Sequence, residues 1–283
     1  MNPINKHPLK LGVIGDPIAH SKSPVMHTAA LRECSIPGSY SALHIQPDRL
    51  EAMIRAVREE EYRGINVTIP HKESVMELLD ELGEDARRIG AVNTIVNEGG
   101  RLIGRNTDGI GYVRSLKEEA AAELEGRRIV VLGAGGAARG IIYALAAEAP
   151  DRILLLNRTP ERAEKLAREW SDLADIAALP SERAAEALKN ADIVINTTSV
   201  GMHPHLEGLP LDPALLRGSE IVSDLIYNPL ETRLLRSARE QGCRTHGGLG
   251  MFVYQGAYAF EYWTGVQAPV DVMRSAVLAS MNV

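Results

Sequence analysis

The hexapeptide Gly133-Ala134-Gly135-Gly136-Ala137-Ala138 fits the pattern G-x-G-x-x-A. In that pattern the first glycine permits a tight turn and the second lets backbone approach a pyrophosphate. The small sixth residue lets a helix pack close to its strand, so the pattern is a dinucleotide cradle when strand and helix flank it. The residue about 20 to 25 positions further on discriminates cofactors, because an acidic side chain there accepts from the adenosine ribose 2′-hydroxyl and repels a 2′-phosphate. Asn157-Arg158-Thr159 stands in that place, without a carboxylate. Arg158 can grip a phosphate through two N–H groups and stack on adenine, Thr159 can donate a hydroxyl, and Arg162 adds charge one helical turn on. NADP is therefore the expected cofactor. Thr159 followed by Pro160 is also a good helix cap in any protein, so that residue has a purely structural reading beside the functional one.

A nicotinamide enzyme needs a group that gives or takes the hydroxyl proton while hydride moves. Asn66-Val67-Thr68-Ile69-Pro70-His71-Lys72 ends an apolar run and enters a predicted helix. Thr68 and Lys72 are thereby expected at a carboxyl edge of strands, where open α/β sheets bind ligands. A lysine in a first helical turn is, taken alone, more often a solvated surface residue. Ala91-Val92-Asn93-Thr94 and Asn106-Thr107-Asp108-Gly109 read by themselves as Asx turns. His203-Pro204-His205 lacks carboxylate or thiolate partners at ligand spacing, and no metal site is expected.

The elements that must position these residues follow a regular grammar. Lys10 to Ile14 is a predicted strand ending at Gly15-Asp16-Pro17. Ser23-Pro24 opens a helix, with the serine as side-chain cap and Met26, Ala29, Ala30 and Cys34 as the apolar stripe. Strand 40–45 and helix 47–60 repeat the unit. Strand 64–69 follows, then a predicted helix 70–82 carrying Val75, Leu78, Leu79 and Leu82. Segments 91–97 and 101–105 flank Gly99-Gly100 as a hairpin. A helical segment 109–125 leads to a second pattern. Arg127 to Leu132 is a continuous apolar run typical of a parallel strand covered on both faces. Helix 141–149, strand 152–156, a helix from Thr159-Pro160 bearing Ala163, Leu166, Ala167 and Trp170, and strands 192–196, 220–225 and 243–246 complete a doubly wound parallel sheet. The expected fold is α/β with two lobes: residues 1–108 for substrate and catalysis, with 249–283 packing back on them, and residues 109–248 as a Rossmann-type NADP domain.

Composition excludes several classes. The chain has 283 residues, with 31 Lys and Arg against 37 Asp and Glu for a net charge of −6. These charges are scattered, whereas nucleic acid or an anionic membrane calls for clustered positive charge. No apolar stretch approaches the roughly 18 residues of a bilayer span. No export signal is visible at the N-terminus. Cys34 and Cys243 stand in unrelated contexts, as expected of buried thiols in a reducing cytoplasm.

Taken together, Gly15-Asp16-Pro17-Ile18 with Ser21-Lys22-Ser23-Pro24, then NVTIPHK, GAVNT, NTDG, GAGGAA, NRT, NTTSVGM, DLIYNP and GGLGM with Gln255 resemble the shikimate dehydrogenase family, in that family's order. The resemblance implies reversible NADP-linked reduction of 3-dehydroshikimate to shikimate on the way to aromatic amino acids. By motif, Lys72 is then the acid/base and Asp108 its partner at the ring hydroxyls. Ser21 and Ser23 correspond to the carboxylate-binding hydroxyls, ahead of a helix whose first N–H groups favour an anion. Thr68, Asn93 and Gln255 correspond to substrate hydroxyl contacts, and Tyr227 to a contact near the carboxylate. Gly133, Ala134, Gly135, Gly136, Ala137, Asn157, Arg158, Thr159, Arg162, Thr197, Leu225, Gly248 and Met251 fall on the cofactor side, with Glu84 on weaker grounds. His71 replaces the bulky apolar residue common before this lysine, a departure expected to leave proton transfer intact while tuning Lys72 electrostatically. The implied partners are small molecules, with neither nucleic acid nor membrane, and a homodimer is compatible with the pattern. A quinate/shikimate dehydrogenase of broader specificity is the alternative within the class. A non-catalytic NADP-responsive regulator is the alternative outside it, although a sensor needs no proton donor.

Overall fold

The computed structural model describes residues 8–120 and 123–281. They form two compact units. One joins the residues up to Thr107 with those from Val253 onward, and the other is Asp108–Phe252.

The first unit contains β1 (Leu9–Gly15), α1 (Ser23–Glu33), β2 (Gly38–His44), α2 (Leu50–Glu59), β3 (Gly64–Val67), β4 (Glu81–Leu82), α3 (Glu84–Ile89), β5 (Thr94–Glu98) and β6 (Arg101–Arg105). The sheet order is β2-β1-β3-β5-β6-β4. The pairs β1·β2 and β1·β3 are parallel, whereas β5 runs antiparallel to β3 and β6. Gly99 and Gly100 both have positive φ at the tip of the β5–β6 hairpin, where a side chain would be strained. The apolar face of α2, Leu50, Ile54 and Val57, is buried with Ile14, Ile65, Val67, Ile95 and Leu102 of the strands. Each such aliphatic side chain contributes roughly 1.5–3 kcal/mol on burial.

Two expectations are corrected in this unit. No α-helix spans 70–82. Turns lead to a 3-10 helix at Ser74–Leu78, and Glu81–Leu82 pair with β6. Asp80 explains the difference, since its carboxylate accepts from the Leu102 N–H at 2.7 Å and is gripped by Arg58. The chain is thus drawn out along the sheet edge where the apolar spacing alone suggests a coil of helix. Ser23 is likewise not a cap. It is the first residue of α1, the capping position is Lys22, and it is the Ser21 hydroxyl that accepts from the Ser23 N–H at 3.3 Å.

The second unit contains α4 (Asp108–Ala120), β7 (Arg128–Leu132), α5 (Gly136–Ala146), β8 (Arg152–Asn157), α6 (Pro160–Glu169), β9 (Ile176–Pro180), α7 (Ala184–Leu188), β10 (Ile193–Asn196), β11 (Ile221–Asp224), α8 (Arg233–Glu240) and β12 (Arg244–His246). Its strand order, β12-β11-β10-β7-β8-β9, is parallel throughout, a doubly wound sheet whose order reverses between β7 and β10. α9 (Leu249–Thr264) passes from the second unit into the first at Val253, and α10 (Val270–Met281) packs against α1. The Lys22 ammonium donates to the Ser280 carbonyl at 2.8 Å, so the last helix is fastened to the segment that starts the first. Trp170 and Trp263 are both buried packing residues, one in each unit. Cys243 is buried, but Cys34 at the end of α1 is only partly so, and both are free thiols. No helix among the described residues is long and apolar enough to cross a membrane.

Candidate active site

In the first unit the carboxyl ends of β1, β3 and β6 meet the start of β5 along one sheet edge. Backbone pairing continues past the strands there. Thr68 N donates to Ile14 O at 3.0 Å, Asp16 N to Ile69 O at 3.0 Å, Val67 N to Asn93 O at 2.8 Å and Asn93 N to Arg105 O at 3.0 Å. Gly15 makes the closest approach: a Cβ on it would lie 2.5 Å from Thr68 Cγ2, so only glycine lets the loop after β1 sit against Thr68.

Sequence-predicted residues gather on this edge. Asn93 is 3% exposed and is held in one orientation by the Thr107 backbone N–H, which donates to its Oδ1 at 2.9 Å. Its Nδ2 then points to Thr107 Oγ1 at 2.9 Å and to Gln255 Oε1 at 3.5 Å, which ties α9 to the cluster. Thr68 and Lys72 are half-buried on the turn that follows β3. That turn is pinned by three bonds: His71 N to Thr68 O, Val75 N to His71 O, and Val92 N to Lys72 O at 2.8 Å. His71 is buried, and its Nε2 lies 2.6 Å from the Ile45 carbonyl. A carbonyl only accepts, so Nε2 carries the hydrogen and the ring braces the turn from β2's side. Asp108 opens α4 in the second unit and is next in the chain to Thr107.

The cofactor-side residues collect in the second unit, at the carboxyl ends of β7, β8, β10 and β11. Gly133 has φ +111°, and a Cβ there would stand 2.6 Å from Thr197 Oγ1. Thr197 itself donates through N and Oγ1 to Leu132 O, at 2.9 and 2.8 Å, which locks the β7 and β10 exits together at the switch point. Beyond this turn Gly135 and Gly136 have nothing within 4 Å of where a Cβ would be, and Ala137 is exposed. Gly135 is the N-cap of α5 and brings no side chain to its free N–H groups, which stay available to an anion. Ala138 is fully buried under the sheet, as close helix packing requires.

Asn157 turns its amide onto Thr159 O at 2.8 Å and so shapes the bend after β8. Thr159 is the N-cap of α6 but makes no side-chain cap bond, so the merely structural reading of its hydroxyl fails. Arg158 and Arg162 are exposed. A cavity of about 600 Å³ opens beside Arg158, lined also by Gly133, Asn157, Ser181, Thr198 and Asp212 among others. Asp212 is occupied by the Ala214 N–H at 3.0 Å. The open glycines, the uncapped helix and the exposed arginine pair fit a dinucleotide with an extra phosphate. Leu225 is pressed by Gly248, where a Cβ would lie 2.1 Å from Leu225 O, and Tyr227 stacks on Phe252 with centroids 4.7 Å apart. Met251 packs partly buried on the core. Glu84 is exposed on the first turn of α3, in the first unit.

Several supporting residues have no role assigned from the sequence, although Asp224 opens DLIYNP and Asn196 opens NTTSVGM. Asp224 is fully buried and accepts from Ile226 N at 3.1 Å, Asn196 Nδ2 at 3.0 Å and Thr232 Oγ1 at 2.8 Å, so it shapes the turn that bears Tyr227. Burial pushes its carboxyl up to about 6 despite those three donors. His246 is buried between Ser115 Oγ at 2.7 Å and Ser223 Oγ at 2.8 Å, and Tyr112 donates to Ser223 at 2.9 Å. Single polar residues such as His246 and Ser223 do not announce themselves in one sequence.

A family model described as shikimate dehydrogenase substrate binding domain matches residues 13–95, one described as shikimate / quinate 5-dehydrogenase matches 115–206, and one described as shikimate 5′-dehydrogenase C-terminal domain matches 248–278. The chain is 50% identical over 271 residues, 96% of its length and 98% of the other's, to a shikimate dehydrogenase (NADP(+)) of Geobacillus kaustophilus. It is similar to the solved structure of shikimate 5-dehydrogenase from Thermus thermophilus in complex with NADP(H) and shikimate, at 38% identity and TM-score 0.88, covering 96% of this chain and 99% of that one. Quinate dehydrogenase from Corynebacterium glutamicum in complex with NAD is also similar, at 31% identity and TM-score 0.89, covering 96% and 99%.

Proposed function

Since the chain belongs to the shikimate dehydrogenase family, we propose that it catalyses the reversible NADPH-linked reduction of 3-dehydroshikimate to shikimate, with Lys72 as the acid/base. The observation that carries the reading is the polar edge of the first unit, where Thr68, Asn93 and Gln255 lie around the turn that bears Lys72. The first unit is accordingly assigned the substrate and the second NADP. Bound NADPH supplies the hydride. The Lys72 ammonium gives its proton to the ring carbonyl oxygen in the reducing direction and receives it back in the oxidising one. Asp108 accepts from a ring hydroxyl and so orients the ring, while Thr68, Asn93 and Gln255 hold further hydroxyls. Ser21 and Ser23 take the carboxylate ahead of α1, where helix N–H groups add to the attraction. Tyr227 is assigned the carboxylate end of the ring.

On the cofactor side, the backbone of Gly133–Ala137 receives the pyrophosphate, and Asn157, Arg158, Thr159 and Arg162 the adenosine 2′-phosphate. Thr197, Leu225, Gly248 and Met251 are assigned the nicotinamide half. A cytoplasmic setting agrees with both cysteines being free thiols.

Lys72→Ala is expected to lower kcat by at least about 100-fold with a smaller change in KM, measured as nicotinamide absorbance with shikimate and NADP. A change in KM alone makes Lys72 a binding residue and overturns its role. Turnover of shikimate and quinate, each with NADP and with NAD, measures breadth. The expected preference is shikimate with NADP.

A further inference from the structure

Near their carboxyl ends, β11 and β12 rest on a buried polar bridge that the proposed chemistry does not use. Ser223 and His246 are paired neighbours on the two strands, and both are buried. The His246 ring spans two elements. Its Nδ1 lies 2.8 Å from Ser223 Oγ on β11, and its Nε2 lies 2.7 Å from Ser115 Oγ on α4. A neutral imidazole has one donor and one acceptor nitrogen and a serine hydroxyl serves as either, so both bonds form without charging the ring. Tyr112, also on α4, donates to Ser223 at 2.9 Å, and its ring meets the imidazole edge-on with centroids 5.9 Å apart. One helix thus holds two strands at a fixed spacing.

The residues assigned to the nicotinamide half follow at once. The chain past β12 lies directly on the chain past β11: Gly248 N donates to Ile226 O at 3.2 Å, and a Cβ on Gly248 would stand 2.1 Å from Leu225 O. The second residue of α9, Gly250, sits on the bridge itself, where a Cβ would meet Ser115 Oγ at 2.0 Å and Glu119 Oε1 at 2.2 Å. Glu119 also approaches His246 Nε2, at 3.8 Å. The first turn of α9, which bears Met251, therefore takes its height above the sheet from the bridge.

We infer that His246 is a positioning residue for the cofactor: by joining Ser115 to Ser223 it sets the place of Leu225, Gly248 and Met251, and so acts on the nicotinamide half while leaving the adenosine half alone. The inference rests on the assignment of those three residues to nicotinamide.

The test is His246→Leu, which fills much of the space and takes one partner from each serine. Dissociation constants are measured by calorimetry for NADPH and for adenosine 2′,5′-bisphosphate, a probe that has the adenosine half and no nicotinamide. The Kd for NADPH is expected to rise about tenfold and that for the bisphosphate to stay within about twofold. His246→Gln, whose amide offers one donor and one acceptor, is expected to bring the NADPH Kd back to within about threefold of wild type. Should the leucine variant fail to fold, Ser115→Ala and Ser223→Ala each cut the bridge at one end. Each is then expected to raise the NADPH Kd about threefold with the bisphosphate unmoved. Equal weakening of the two ligands, an NADPH Kd that no folded variant moves by more than about twofold, or a glutamine variant no better than the leucine one overturns the inference. A wild-type chain that binds NADPH but does not turn over shikimate overturns the proposed reaction alone, because the two dissociation constants still decide the role of His246. One that binds no NADPH overturns both.

Discussion

Arg158 stands exposed at the bend after β8 with Arg162 one turn along α6, beside a threonine whose hydroxyl is not used as a cap. Charge-assisted bonds of this kind contribute about 1.5–3 kcal/mol each, so Arg158→Ala is expected to cut the preference for NADP over NAD by at least tenfold, read as the ratio of kcat/KM for the two cofactors. A ratio within about twofold of wild type overturns the assignment. At this scale the residues legible in the sequence are those in motifs. Lys72, Asn93 and Arg158 each lie in a short polar string next to a strand end. Tyr40 escapes notice because nothing in its own strand marks it, and only the pairing of β1, β2, β3 and β5 brings it to Asn66, the first residue of NVTIPHK. His71 also braces its turn against the Ile45 carbonyl, a contact that its place in the sequence does not announce.

At the scale of elements, the sequence pattern conveys most of the strands and helices, because period and capping residues agree with the final packing. Stretch 70–82 is where they conflict. Val75, Leu78, Leu79 and Leu82 have helical spacing, but Asp80 captures a strand N–H and Leu82 pairs with Gly104. Tertiary pairing outweighs local periodicity there. β9 goes unseen for another reason: Ile-Ala-Ala-Leu-Pro has a single β-branched residue and no alternation, and its place is decided by β8 alongside. The exit of β1 yields a prediction at this scale. Gly15→Ala is expected to force Thr68 and Ile69 outward, with a loss of about 1–3 kcal/mol in stability and a raised shikimate KM, followed by thermal melting and steady-state kinetics. An unchanged melting temperature and KM would show that the loop yields freely.

For the molecule as a whole, pH acts on the two units differently. His27 in the first unit is buried with neither ring nitrogen hydrogen-bonded, and burial lowers its pKa from 6.5 to about 3. The unfolded chain then binds a proton that the folded one refuses, so stability is lost as pH falls from about 6.5 towards 3, by about 1.4 kcal/mol per pH unit. Asp80, held low by the Leu102 N–H and Arg58, adds to that loss in acid. In the second unit Asp224 works the opposite way. Its folded pKa of about 6 exceeds the unfolded value, so its contribution is present below pH 4 and lost as pH rises through 6. It offsets Glu169, which Arg139 holds low. Trp263 and Trp170 report one unit each. The denaturant midpoint followed by Trp263 in a Trp170→Phe background is therefore expected to fall more steeply between pH 6 and 4 than that followed by Trp170, and His27→Phe to shrink the difference to the part that Asp224 supplies. Parallel slopes, or a difference that His27→Phe leaves unchanged, would remove His27 from the account.

The fastening of α10 onto α1, closed by Lys22 on Ser280, bears on how the polypeptide is made. A ribosome emits Asp108–Phe252 as one unbroken run, so that half can settle while translation proceeds. The half that begins first must wait, with its opening helix bare, until the final segment emerges to cover it. Nascent chains halted before residue 270 are thus expected to hold a protease-resistant later half and a still digestible earlier one.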